Sequence, residues 1–260
     1  RFRMLVLLSC AKTMSAVSKV KVPLTTIPRF QKEAAEIALQ MSQFSVDELE
    51  RLLRVNAKIA VENYKRYQAF HAETTPELPA LLAYTGIVFK RLNPKDFSAE
   101  DFGYAQEHLR LTSFCYGLLR PLDVIRAYRL EGDVVLPELG NQTLFSYWRS
   151  RLTDTFIEDI RSAGGILCNL ASDEMKSLFD WKRVESEVRV VTPEFHVWKN
   201  GKLATIVVYT KMSRGEMTRF ILKNKIGNPE ELKGFSWEGF EFDESLSDER
   251  KLVFINGMGE

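Results

Sequence analysis

The sequence predicts an α+β protein: a single compact domain with a central mixed β-sheet surrounded by helices. Three observations carry this expectation. Met4–Ser9 and Ile166–Leu170 are short continuous apolar runs of the kind that form buried strands. Longer segments repeat apolar residues three and four apart, as amphipathic helices do. No repeat, low-complexity run or linker divides residues 1–260, and their 45% hydrophobic content is enough to bury one sizeable core without disulfides.

In chain order, Met4–Ser9 ends in the polar loop Ser9-Cys10-Ala11-Lys12-Thr13. Loops at the carboxyl ends of strands commonly host binding groups. Residues 30–42 place Ala34, Ile37, Ala38 and Met41 on one helical face. Ser45-Val46-Asp47-Glu48 has the form of a capping box and opens a helix with Leu49, Leu52 and Leu53 on its apolar side. Residues 57–69 continue helically, with Ile59, Ala60 and Tyr64 beside a basic strip of Lys58, Lys65 and Arg66. Thr74–Pro79 holds two prolines and breaks the pattern. Ser98-Ala99-Glu100-Asp101 offers a second cap, for a helix expected to run to about Cys115, before Gly117 and Pro121. Leu144, Trp148, Leu152, Phe156 and Ile160 recur every four residues and predict a helix over 143–163. Val188–Trp198 and Lys202–Lys211 alternate on either side of Asn200-Gly201 and predict a hairpin, whose two central residues need positive φ. Met217–Lys225 reads as a helix and Leu252–Ile255 as the last strand.

Charged residues make up 27% of the chain, a globular proportion that excludes global disorder. The net charge is +1 and the pI about 7.8, so bulk charge argues neither for nor against nucleic acid. Its distribution is more informative. Residues 1–21 carry Arg1, Arg3, Lys12, Lys19 and Lys21 with no acid, residues 211–225 are net +4, and residues 230–260 are net −6. Cys10, Cys115 and Cys168 are too dispersed for a disulfide or metal framework and read as free thiols, in keeping with a reducing cytoplasm. Met4–Leu8 is too short to span a membrane, which takes about 20 apolar residues. His71, His108 and His196 lack metal-ligand spacing, so no metal site, cofactor or membrane partner is expected.

Five phrases, taken together and in order, resemble the YaaA peroxide-stress family. They are Ser9-Cys10-Ala11-Lys12-Thr13; Tyr116–Asp123 followed by Tyr128-Arg129-Leu130-Glu131; Asn169–Glu174; Lys211-Met212-Ser213-Arg214-Gly215 with Arg219; and Gly239–Glu244. Cys10 stands where that family usually has Pro, and Ser213 where it usually has Ala; neither departure removes a charge. The resemblance implies a compact α+β fold, a positively charged cleft and a helix-hairpin-helix element. It also implies a cytoplasmic role in the hydrogen peroxide response, protecting DNA and limiting damage by intracellular iron, with no established reaction.

DNA binding needs several cations on one surface, and arginine's planar fork suits phosphate. The candidates are Lys12, Arg120, Arg129, Lys211, Arg214 and Arg219, with Gly215 allowing close backbone approach. Arg120 with Asp123 and Arg129 with Glu131 read equally well as structural ion pairs. The helix-hairpin-helix candidate is Leu49–Tyr67, turning at Asn56-Ala57-Lys58, with Lys58, Lys65 and Arg66 as added phosphate contacts; its hairpin has no glycine. The partner expected is double-stranded or structured DNA, bound without regard to sequence. A second reading is a small-molecule or nucleotide pocket, enzyme-like, around Lys12, Arg120, Glu174 and Lys211, drawing on Ser9, Thr13, Asn169, Ser172 and Asp173. Ser172 or Asp173 also suits a helix N-cap. A third reading is iron handling through carboxylates alone.

Overall fold

The structure is a computed structural model and describes residues 3–257, so Arg1 of the basic stretch and Glu260 of the acidic tail lie outside the described residues. Its centre is a nine-stranded sheet. In chain order the strands are β1 (Met4–Leu8), β2 (Leu109–Ser113), β3 (Gly117–Leu119), β4 (Ile166–Asn169), β5 (Arg189–Lys199), β6 (Lys202–Ala204), β7 (Ser236–Trp237), β8 (Phe240–Phe242) and β9 (Lys251–Asn256). They lie in the order β7-β8-β9-β5-β4-β1-β2-β3, and β6 also pairs with β5.

The five strands β9, β5, β4, β1 and β2 run parallel, and the edges are antiparallel. Val6 stands between Leu109 and Cys168 in register. All five residues of β1 are buried, which explains its unbroken apolar run: a central parallel strand is covered on both faces.

The helices are α1 (Gln31–Met41), α2 (Val46–Leu53), α3 (Ala57–Ala69), α4 (Ala80–Ala83), α5 (Ile87–Leu92), α6 (Ala99–His108), α7 (Leu144–Ser162), α8 (Trp181–Glu187) and α9 (Val207–Asn224). Both predicted capping boxes form, at Ser45 with Glu48 and at Ser98 with Asp101. The α7 stripe of Leu144, Trp148, Leu152, Phe156 and Ile160 is buried. The Trp148 indole donates to the Phe114 carbonyl at 2.8 Å, so its one polar atom is satisfied in the core.

Two elements differ from the sequence expectation. The helix opened at Ser98 stops at His108, because Leu109–Ser113 leaves it to become β2, fully buried beside β1. Pairing with a central strand overrides local helical preference there. The Asn200-Gly201 turn forms as predicted, with φ of 53° and 74°. Its second strand, however, ends at Ala204, and Val207 already begins α9. The β-branched Val207 and Val208 suggested a strand. Packing of Ser213, Gly215, Met217, Thr218, Ile221 and Leu222 makes the segment helical, which puts Lys211, Arg214 and Arg219 on one element.

Gly215 serves that packing. A Cβ there would stand 2.3 Å from the Val88 carbonyl oxygen and 2.8 Å from Arg91 Cβ, where α9 meets α5. Gly215 is therefore a helix-contact residue rather than a point of approach for phosphate. Gly215→Ala is expected to cost about 1–3 kcal/mol of overpacking, read as a lowered midpoint in urea.

Asp101 links α6 to α9. It accepts from the Ser98 amide at 3.0 Å and from Lys223 and Lys225 at 2.9 Å each. Burial acts to raise its pKa, but the Ser98 amide and the Lys225 and Lys223 ammonium groups outweigh it and hold the carboxyl well below the usual range. A folded-state pKa below the unfolded value of about 3.9 gives stability that is present above that pH and lost as acid protonates the group. Thermal melts of Asp101→Asn should therefore lie below wild type at neutral pH, the gap closing as pH falls below about 4.

Candidate functional site: a cleft at the strand ends

The loops that leave β1, β2 and β4 converge at the carboxyl-terminal edge of the parallel strands, where open sheets commonly bind ligands. They border a cleft of about 540 Å³. Small-molecule sites span roughly 300–1,000 Å³. The loop after β1 contributes Ser9, Cys10, Lys12 and Thr13, and the segment after β4 contributes Leu170, Ser172, Glu174 and Met175. Thr85, Gly86 and Phe89, then Tyr128 and Arg129, and finally Lys211 and Arg214 from α9 complete it.

The loops are bonded to one another. Ser9 Oγ accepts from the Ser172 amide at 2.8 Å and donates to Ser172 Oγ at 3.3 Å. Ser172 precedes the short 3-10 turn Asp173–Leu178, but its hydroxyl makes no capping bond and faces Ser9 instead. Asn169 is buried and accepts from the Ala171 amide at 3.1 Å, shaping the turn from within. The Cys10 amide donates to Thr112 Oγ1, and Thr13 is held to Thr85 by a backbone bond of 3.0 Å and a hydroxyl bond of 2.9 Å. Gly86, at φ 115°, turns the chain into α5 in a region that side chains avoid. Under the floor, Tyr128 Oη meets Tyr84 Oη at 2.5 Å and Ser113 Oγ at 2.6 Å, both buried.

Charge divides the cleft into satisfied and unsatisfied groups. Lys12 pairs with Glu131 at 2.9 Å. Glu131 is buried and is also 4.0 Å from Arg54, which forks onto Asp133 at 2.9 and 3.3 Å. Burial, then the Glu131 charge, raises the Glu174 pKa, with Lys12 partly offsetting. Burial pushes the Cys10 thiol up to about 12, so it is protonated at neutral pH and is no thiolate nucleophile.

The half-buried Arg214 has no hydrogen bond or ion pair from its guanidinium among the described residues; burial lowers its pKa, with the Asp173 charge partly offsetting. Lys211 likewise has no such partner. Arg129 Nε is buried without a hydrogen-bond partner. The Arg129–Glu131 pair, one of the two alternatives for Arg129, does not form, since Glu131 faces Lys12 and Arg54.

Several candidates lie elsewhere. Arg120 is bound to Asp123 at 2.9 Å and to the Ile27 carbonyl. Arg219 forks onto Asp96 and donates to the carbonyls of Leu92 and Asn93. Arg66 pairs with Glu62, while Lys58 and Lys65 are exposed on α3. The exposed Asp173 pairs with Lys176 at 3.2 Å. The segment 46–69 is a helical pair joined through Arg54, which adopts the left-handed conformation, and Asn56, whose Oδ1 accepts from the Ile59 amide at 2.9 Å. One amide that could face a phosphate there is already capped.

Sequence reasoning missed Thr85–Phe89, Arg54 and Asp133, and took Glu131 only as a partner for Arg129. A Thr-Gly pair ahead of an apolar run was the one local signal for the first. The others become visible only when α2, β1 and the 128–133 segment meet.

The fold and cleft define an α+β protein with a concave, partly apolar site carrying unpaired cations. The model of the family described as peroxide stress protein YaaA matches residues 4–246. A UPF0246 protein of Bacteroides thetaiotaomicron is 99% identical over 257 residues, covering 99% of this chain and 100% of that protein. A UPF0246 protein of Bacteroides fragilis is 78% identical, with the same coverage, and one of Crocosphaera subtropica is 38% identical over 97% of this chain and 100% of its own length. The chain belongs to the peroxide stress protein YaaA family. Among the described residues, no helix is long and apolar enough to cross a membrane, and no three His, Cys, Asp or Glu side chains are grouped to hold a metal ion.

Proposed function

We propose that this peroxide-stress family member binds DNA without regard to sequence and shelters it from oxidative damage, holding backbone phosphates through Lys211, Arg214 and Arg129, with Lys12 beside them. The observation that carries the reading is the presence of three cations without acidic or hydrogen-bond partners for their charged groups on one cleft, while Arg120, Arg219 and Arg66 are all paired elsewhere. The half-buried Arg214 guanidinium loses hydration while the Asp173 charge acts on it without a hydrogen bond or ion pair, and a phosphate supplies the bonded anion.

Fluorescence anisotropy of a labelled duplex, titrated across salt, tests this. Three or so phosphate contacts predict a log–log salt slope of about −2 to −3, the same for unrelated sequences. Affinity that ignores salt would sink the reading.

The enzyme-like reading keeps Lys12, Glu174 and Lys211 on one cleft but loses Arg120. What favours it is the enclosed volume, which a duplex passing over the rim leaves unfilled.

A further inference from the structure

We propose that the cleft is a mononucleotide site: it takes a nucleoside monophosphate, with the phosphate at Lys211 and Arg214, the base over Phe89, Phe114 and Met175, and a base N–H donated to Glu174. The proposal rests on the cleft being the phosphate site named above, and adds the body of the ligand.

Three features select this class. The volume of about 540 Å³ suits one nucleotide, whereas a duplex, whose width is set by two backbones, can lay phosphates against the rim but not fill the interior. The floor is apolar and partly aromatic, which suits a flat heterocycle rather than a free phosphate or a sugar phosphate. The cleft carries polar groups of both signs: Lys211, Arg214 and the unpartnered Arg129 Nε ask for an anion, whereas the exposed Glu174 has no bonded cation, because Lys12 is already committed to Glu131. A ligand that carries both an anion and N–H groups satisfies both. Guanosine monophosphate is the strongest probe, since its base offers two parallel N–H donors to one carboxylate.

The test is calorimetric titration of the full chain with guanosine monophosphate, guanosine and inorganic phosphate, alongside displacement of the labelled duplex. The expected result is saturable nucleotide binding at least about tenfold tighter than either fragment. It should weaken about tenfold in Arg214→Ala and in Glu174→Gln, and stay unchanged in Lys58→Ala. Lys211→Ala, at an exposed position, repeats the phosphate-side test if Arg214→Ala folds poorly. Nucleotide binding that ignores both cation variants would overturn the assignment. Absence of nucleotide binding by a protein whose duplex binding still depends on Arg214 would overturn this proposal alone and leave the DNA reading standing. Failure to bind either would remove both.

Discussion

Reversing both cations of α9 in the double variant Lys211→Glu, Arg214→Glu is expected to lower duplex affinity at least about a hundredfold in low salt. A charge-assisted hydrogen bond contributes about 1.5–3 kcal/mol, roughly one to two decades of affinity, and reversal adds repulsion of the phosphate. The side chains are one helical turn apart, and neither has an acidic partner within bonding distance among the described residues. No native ion pair is therefore broken, and the variant should stay folded. Lys58→Glu with Lys65→Glu supplies the contrast. These lysines are exposed on α3, outside the cleft, and their reversal should cost only the long-range, salt-screened part of the attraction. The opposite ranking would make the helical pair the interface.

Arg120→Ala is expected to do the reverse: to cost about 3–5 kcal/mol of stability and leave duplex affinity of the folded protein unchanged. Asp123 is wholly buried. Its carboxylate accepts from the Arg120 amide at 2.8 Å, from Arg120 Nε at 3.0 Å and from Thr26 Oγ1 at 2.6 Å. Removing the guanidinium strands a negative charge in the interior. Removing Asp123 as well should recover part of the loss, because the two single losses share one interaction. Urea unfolding of the three variants measures the coupling, and anisotropy on the same samples measures binding. Loss of binding without loss of stability in Arg120→Ala would return that residue to the interface.

These two residue sets show what the sequence could and could not disclose. Elements with a local cause were legible: β1 and β4 from their apolar runs, the two capping boxes, the α7 stripe and the Asn200-Gly201 turn. β2 was not, because Leu109–Ser113 carries Arg110 into the interior. That arginine is tolerated there by Asp159 on α7, at 2.7 Å and far away in sequence. The early start of α9 was hidden for a similar reason, since the exposed Val207 and Val208 favour strands, and it is the packing of later α9 residues such as Gly215 against α5 that commits the segment to a helix. At the site, Lys12, Arg129, Lys211, Arg214 and Glu174 could be named from their phrases, and the cleft gathers them. Which cations remain free was not legible: Arg219 is claimed by Asp96 and Lys12 by Glu131, partners more than a hundred residues distant.

Hydrogen exchange with and without a short duplex tests the central claim most directly, because it reports where the protein is covered rather than whether it binds. Slowed exchange in Ser9–Thr13, Thr85–Phe89 and the first turns of α9 through Arg214 is the result predicted for DNA seated at the cleft. Protection confined to α2 and α3, with those three segments unchanged, would contradict it.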